Sequence, residues 1–341
     1  MRPFKMMKNS RTLLAAALAV VGTSAFAADA DKPGAGVSIK PAVATWTSAI
    51  PVNWVYVELL EELGYDVEKP VPLSNPVAYL AIAEGDADYW SETWIPLHEP
   101  QFPANFRDVA TIFPAHCSGC GIEGYLVDKA SIDKYEITGI EDFKRDDVRA
   151  AFDANGDGRA DLFGCPPGWG CHENINKMIE KFDLGDYINH VDADYAANFA
   201  EALSRIEAGE SALYYTWGPS AWVNKLVPGT DVMWVNAPGI VSHEEELASG
   251  ISGAVSDPIY MGAVVGDIAV AANTGFLNAN PAAAELFRQV RLPFDWINQA
   301  DATMNSEGLS DEDVRKLSQD WIKENRLLVD GWLDAARAAA G

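Results

Sequence analysis

The chain has 341 residues, eleven of them tryptophan, and sets 25 basic against 50 acidic side chains for a formal net charge of −25. That balance disfavours a nucleic-acid partner, because phosphate contact needs clustered Lys and Arg. The length exceeds one small core and suits two lobes, and the acidity favours solubility and cationic ligands without identifying one.

Arg2, Lys5, Lys8 and Arg11 make a positive start, an apolar run covers 13–21, and small residues lead to Ala25-Phe26-Ala27. These are the three regions of a secretory signal peptide, residues 1–27, which predicts export to the periplasm. A membrane-spanning helix needs ~20 apolar residues, more than this run supplies. No Cys follows the cleavage site, which argues against a lipid anchor. Removing the four basic residues takes the net charge from −25 to −29.

A loose leader at 28–38 precedes a strand at 43–46. Apolar residues at helical spacing (Val52, Val55, Leu59, Leu60, Leu63) predict a helix over 51–63, stopped by Gly64. A strand at 65–71, a helix at 76–83 and a strand at 87–90 follow, then a loop carrying Trp94 and His98. This alternation predicts an α/β sheet with crossover helices. The segment 121–127 reads as a strand crossing between lobes. Helical stretches open at 140–143, 174–182 and 195–208, with a strand at 212–217. Little periodicity marks 240–258, read as a surface loop. An apolar strand at 263–272 brings the chain back, and 281–290, 293–298 and 311–340 read as helical. The predicted lobes are 28–124 plus 260–341, and 125–259, with a ligand cleft between them.

Three tryptophans sit beside Pro or Gly at loop tips: Trp94 in TWIPLH, Trp169 in CPPGWGC and Trp217 in YYTWGP. A core tryptophan sits more often mid-element, so the shared placement suggests one site. Clustered aromatic faces suit a quaternary ammonium, which has no N–H to donate. Each face contributes ~0.5–1 kcal/mol when exposed and ~2 or more when desolvated. Micromolar affinity needs ~8 kcal/mol, so the ligand's other end must supply the rest. The Gly-rich turn at 168–173 precedes a helix, where outward N–H groups form an anion site, and His98 can add a donor.

The four cysteines fall in two close pairs, Cys117/Cys120 and Cys165/Cys171. In an oxidising compartment local disulfides are the default; zinc with the flanking His116 or His172 is the alternative. Asp153, Asn155, Asp157 and Asp161, spaced by Gly156 and Gly158, match the first part of a calcium loop, although Gly164 stands where the twelfth-position Glu belongs. The alternatives are a structural calcium or an Asx-rich turn without metal. No cofactor is required. Neither a Gly-x-Ser-x-Gly elbow nor a His-Glu-x-x-His motif occurs. The Cys117-Ser-Gly-Cys120 motif leaves one distant enzymatic alternative, an exported thiol oxidoreductase, and an aromatic-rich adhesion module is a third reading.

The stretches WIPLH (94–98), GYLVDK (124–129), FDANGDGRADL (152–162), GCPPGWGC (164–171), YYTW (214–217) and NPAAAELF (280–287) resemble the periplasmic glycine betaine/proline betaine-binding proteins of osmoprotectant ABC transporters. The resemblance implies a two-lobed periplasmic binding fold that closes on its ligand, with a membrane permease and an ATPase as partners. It implies an aromatic box from Trp94, Trp169 and Trp217. Carboxylate binding would fall to the backbone N–H groups of Gly170 and Cys171 and to His98, beside a Cys165–Cys171 disulfide. Three features depart from the enteric pattern. Trp46 and Trp90 replace non-Trp residues, so Trp46 is a candidate fourth wall. Glu123 stands where those proteins carry Gln. Cys117 and Cys120 are additions. The related trimethylamine N-oxide binders use four tryptophans and a Glu, and dimethylsulfoniopropionate would satisfy the same chemistry.

Overall fold

The structure, a computed structural model, describes residues 30–237 and 247–341. The expected signal peptide, and the part of the expected surface loop over 240–246, lie outside the described residues.

Among the described residues, ten strands form the main sheet. Its path runs Val71–Leu73, Pro41–Ala44, Tyr89–Ile95, Gly266–Asn273, Cys117–Asp128, Leu213–Gly218, Ala160–Phe163, Ile188–Val191. Ala110–Ile112 pairs off the path with Gly266–Asn273, and Val232–Trp234 with Cys117–Asp128. The outer strands on either side run parallel to their neighbours (Pro41–Ala44 with Tyr89–Ile95, Ala160–Phe163 with Leu213–Gly218), as helical crossovers require. The centre is antiparallel. The twelve-residue strand Cys117–Asp128 pairs through Gly121 with Gly266, and over 122–127 with Leu213–Gly218. It therefore belongs to both half-sheets, and the architecture is α/β with two lobes.

The crossing is tight. A Cβ on Gly124 would lie 2.8 Å from the Met261 carbonyl oxygen and 3.3 Å from its Cε. Both strands between the lobes are buried along most of their length, and one continuous apolar core runs beneath both half-sheets.

Several elements extend beyond their sequence signals. The helix predicted at 51–63 spans Ala49–Glu62. The strand predicted at 65–71 splits into Asp66–Val67 and Val71–Leu73, with Pro70, which lacks an N–H, between them. The strand expected at 87–90 continues as Tyr89–Ile95, so Trp94 belongs to a strand and not to a loop. The helix expected from 174 begins at Gly170. The 293–298 helix extends over Phe294–Glu307, and the C-terminal stretch breaks at Asn325 into Asp311–Glu324 and Arg326–Ala340.

The calcium reading is corrected. Asp161 is buried and accepts Ala154 N, Asn155 N, Asn155 Nδ2 and Asn189 Nδ2 at 2.7–3.1 Å. Asp153 accepts Gly156 N, Asp157 N and Gly158 N, and Asp157 pairs with Arg159. These carboxylates are turned onto their own backbone and do not converge on a common point. Among the described residues, no group of three or more acidic, His or Cys side chains is placed to hold a metal ion. Zinc at the cysteines is also corrected, because both pairs are disulfides, Cys117–Cys120 and Cys165–Cys171, and no thiolate remains.

Two outcomes follow. Excess chelator leaves the urea midpoint unchanged, whereas Asp161→Ala, which strands several buried donors, lowers stability by about 2 kcal/mol. Gly124→Ala forces the crossing strand off the Met261 carbonyl and costs about 1–3 kcal/mol in the same assay.

Candidate functional site

The site is built by strand alternation and by two turns. Side chains at every second position of Tyr89–Ile95 share a face, which groups Trp90, Glu92 and Trp94. Trp46 sits on the bend between the strand Pro41–Ala44 and the helix Ala49–Glu62. From the other lobe, Trp169 is the residue before the helix Gly170–Lys181. The turn leading to it needs Gly168 at φ +91° and is closed by the Cys165–Cys171 disulfide. Trp217 lies in the strand Leu213–Gly218, directly across from Glu123 on the crossing strand.

Most of these residues meet around one small cavity. Trp46, Trp94 and His98 line it from one lobe, Trp169, Gly170, Cys171 and Trp217 from the other, and Glu123 from the strand between. All eight residues nominated from sequence border this cavity. Trp169 stands edge-on to both neighbours, with ring centroids 5.6 Å from Trp46 (76° between planes) and 5.5 Å from Trp217 (83°). The lobes touch across the cleft. Trp169 Nε1–H donates to Thr45 Oγ1 at 2.8 Å, Gln101 Nε2–H to Glu173 at 3.1 Å, and Asn75 N–H to the Gly168 carbonyl at 3.2 Å. Gly170 is required by proximity, since a Cβ there would lie 2.9 Å from His98 Cδ2.

Burial sets the protonation of the site. Desolvation pushes His98 down to about 3, so it is neutral across physiological pH. Its Nδ1 lies 2.7 Å from the Tyr79 hydroxyl and 3.2 Å from the Trp94 N–H. Desolvation raises Glu123 to about 8, partly offset by the Tyr215 hydroxyl. The same cause raises Glu92 to about 8, offset by the Trp94 and Trp46 indoles. Both acids bind protons in the folded chain that they release when it unfolds. Each therefore lowers stability as pH rises from about 4.5 towards 8.

Sequence reading missed two residues. Glu92, 2% exposed, lies under the box and accepts Trp94 Nε1–H at 3.2 Å. Its place two residues before Trp94 on a strand was the available signal. Tyr195, from a distant helix, stacks behind Trp169 (5.8 Å, 27°) and packs on Trp217 (4.5 Å), a juxtaposition with no local signature. Trp90 is fully buried, 6.0 Å from Trp46 and stacked on His98, and does not line the cavity.

The family profile described as the substrate binding domain of ABC-type glycine betaine transport systems (OpuAC) matches residues 37–324. This chain belongs to that family. It is a substrate-binding protein, not an enzyme. The binding protein is 36% identical to the glycine betaine-binding periplasmic protein OusX of Dickeya dadantii over 335 residues, covering 98% of this chain and 100% of that one. It is 34% identical to the glycine betaine/proline betaine-binding periplasmic protein of Escherichia coli over 338 residues, covering 98% and 99%. In fold it resembles the glycine/betaine/L-proline-binding protein ProX of Borrelia burgdorferi, at TM-score 0.70 and 16% identity over 89% of this chain and 100% of that one. Among the described residues, no helix is long and apolar enough to cross a membrane.

Proposed function

We propose that this protein captures a compact onium osmolyte, with glycine betaine as the leading ligand, and delivers it to the permease and ATPase of an ABC importer. One observation carries the reading: four indoles, Trp46, Trp94, Trp169 and Trp217, border one cavity. The onium group would sit among Trp46, Trp94, Trp169 and Trp217, where desolvated faces contribute ~2 kcal/mol or more each. The names of the full-length relatives support betaine. The carboxylate end would take the N–H groups of Gly170 and Cys171 in the first turn of their helix, where the dipole favours an anion, with His98 as a further donor. The two lobes are assigned as 28–124 with 260–341, and 125–259, moving about the two strands that join them. The signal peptide at 1–27 would place the protein in the periplasm, where the relatives named here belong.

A second reading comes from Glu123. An ionised Glu at the cavity would repel a carboxylate. Burial keeps it protonated at neutral pH, so it can donate a hydrogen bond to a carboxylate or to the oxygen of trimethylamine N-oxide. Dimethylsulfoniopropionate satisfies the same two ends. These three ligands are separated by titration, not by shape.

Calorimetric titration with glycine betaine, proline betaine, trimethylamine N-oxide, dimethylsulfoniopropionate and choline tests the proposal; affinity no better than millimolar for all five rejects it. Trp169→Ala and Trp217→Ala each weaken the preferred ligand at least about tenfold, roughly 1.4 kcal/mol. As pH rises through about 8 and Glu123 ionises, affinity for glycine betaine falls relative to choline, which carries the same cation without the carboxylate. In Glu123→Gln that ratio stays flat.

A further inference from the structure

Glu92 is a carboxyl enclosed by aromatic edges. It is 2% exposed on the cavity face of Tyr89–Ile95, with Trp90 and Trp94 two residues to either side. Trp94 Nε1–H donates to its Oε2 at 3.2 Å. Trp46 Nε1 is buried without a hydrogen-bond partner, and its indole adds to that of Trp94 in offsetting the effect of burial on this carboxyl. One box wall, Trp94, thus gives its N–H edge to this acid. Among the described residues no cation pairs with it: the groups that bear on it are the Tyr56 and Tyr79 hydroxyls and Asp301 from Phe294–Glu307, with His98 on the same side of the cavity and Glu123 on the crossing strand.

An unpaired buried acid is unfavourable, and an apolar residue would fill the same space without that penalty. An indole that donates its N–H to an anion becomes richer in electrons across its face, and that face attracts cations through its quadrupole. We propose that Glu92 is the positioning residue and buried counter-charge of the box. It orients Trp94 by its edge and makes the faces of the box discriminate a cationic ligand from a neutral one of the same shape. The inference rests on the onium reading above. It adds that selectivity for charge comes from an acid behind the indoles as well as from the indoles themselves.

The protonation state follows. Burial holds Glu92 up at about 8 in the empty box, and a cation on the far side of the indoles favours the ionised form. Ionisation rises with pH, so preference for a cation rises with pH as well. Glu123 titrates in the same range and faces the same cavity, and is removed from the measurement by working in the Glu123→Gln background.

The test compares glycine betaine with 3,3-dimethylbutanoate, its neutral-headed isostere with carbon in place of the quaternary nitrogen. Both carry the carboxylate, so their affinity ratio reports the cation alone. In Glu123→Gln the ratio is expected to increase between pH 7 and 9. Adding Glu92→Gln should make it flat and lower it about fivefold at pH 9, which corresponds to roughly 1 kcal/mol. Equal weakening of both ligands by Glu92→Gln means a purely structural role and overturns the proposal, as does an unchanged ratio. Should Glu92→Gln fail to fold, Glu92→Asp withdraws the charge by one methylene and should lower the ratio by a smaller factor; an unchanged ratio there overturns the proposal too. If none of the five ligands named above binds the unaltered protein better than millimolar, the onium reading itself fails, which the same titration distinguishes; if another onium ligand is preferred, the ratio is measured with it and its carbon isostere.

Discussion

An indole has one N–H at its edge and two open faces, and the cleft is organised by the need to satisfy the edge while leaving a face bare. Trp169 donates its edge to Thr45 of the opposite lobe. Trp94 donates to Glu92, and Trp46 Nε1 is buried without a hydrogen-bond partner. Trp217 Nε1 is buried without a hydrogen-bond partner, directly across from Glu123. Each edge that finds an acceptor fixes the plane of its ring, so the faces around the cavity are set by hydrogen bonds made outside it. Tyr195, stacked behind Trp169 and packed on Trp217, blocks the ring rotations that remain.

The backbone frame makes this arrangement possible. One strand, Cys117–Asp128, serves both half-sheets and brings Glu123 to the junction. The contacts that span the cleft include polar ones (the Trp169–Thr45 bond, Gln101 with Glu173, and the Asn75–Gly168 backbone bond) and the edge-on packing of Trp46 against Trp169. Polar contacts of this kind contribute about 0.5–1.5 kcal/mol each, small beside the apolar core that runs beneath both half-sheets.

Charge plays opposite parts outside and inside. A surface with twice as many acids as bases stays ionised in water and gives the protein a negative field. Inside, the two acids of the cleft are desolvated and hold their protons near neutral pH. The field outside favours approach of any cation, whereas choice among ligands falls to groups whose charge depends on what sits next to them.

Much was legible in order along the chain. Helical spacing in 51–63, the alternation of elements and the tryptophans beside Pro and Gly all follow from local chemistry, and so does the turn closed by Cys165 and Cys171. Two residues of a motif such as CPPGWGC meet because few bonds separate them. The sequence by itself therefore determined the α/β class, the nominated residues and the pairing of near cysteines. Only the tertiary structure decided that Trp46 and Trp169, far apart in the chain, stand 5.6 Å apart, that Glu92 lies under two indoles and that Trp90 does not reach the cavity. It also turned the calcium-like loop into a closed Asx turn, because Asp161 is needed by Asn189 and by backbone donors of its own loop. The reason is common to all four. Local spacing tells which side chains share a face, but which faces meet, and which polar atoms are spent on each other, depends on packing between segments that sequence spacing does not relate.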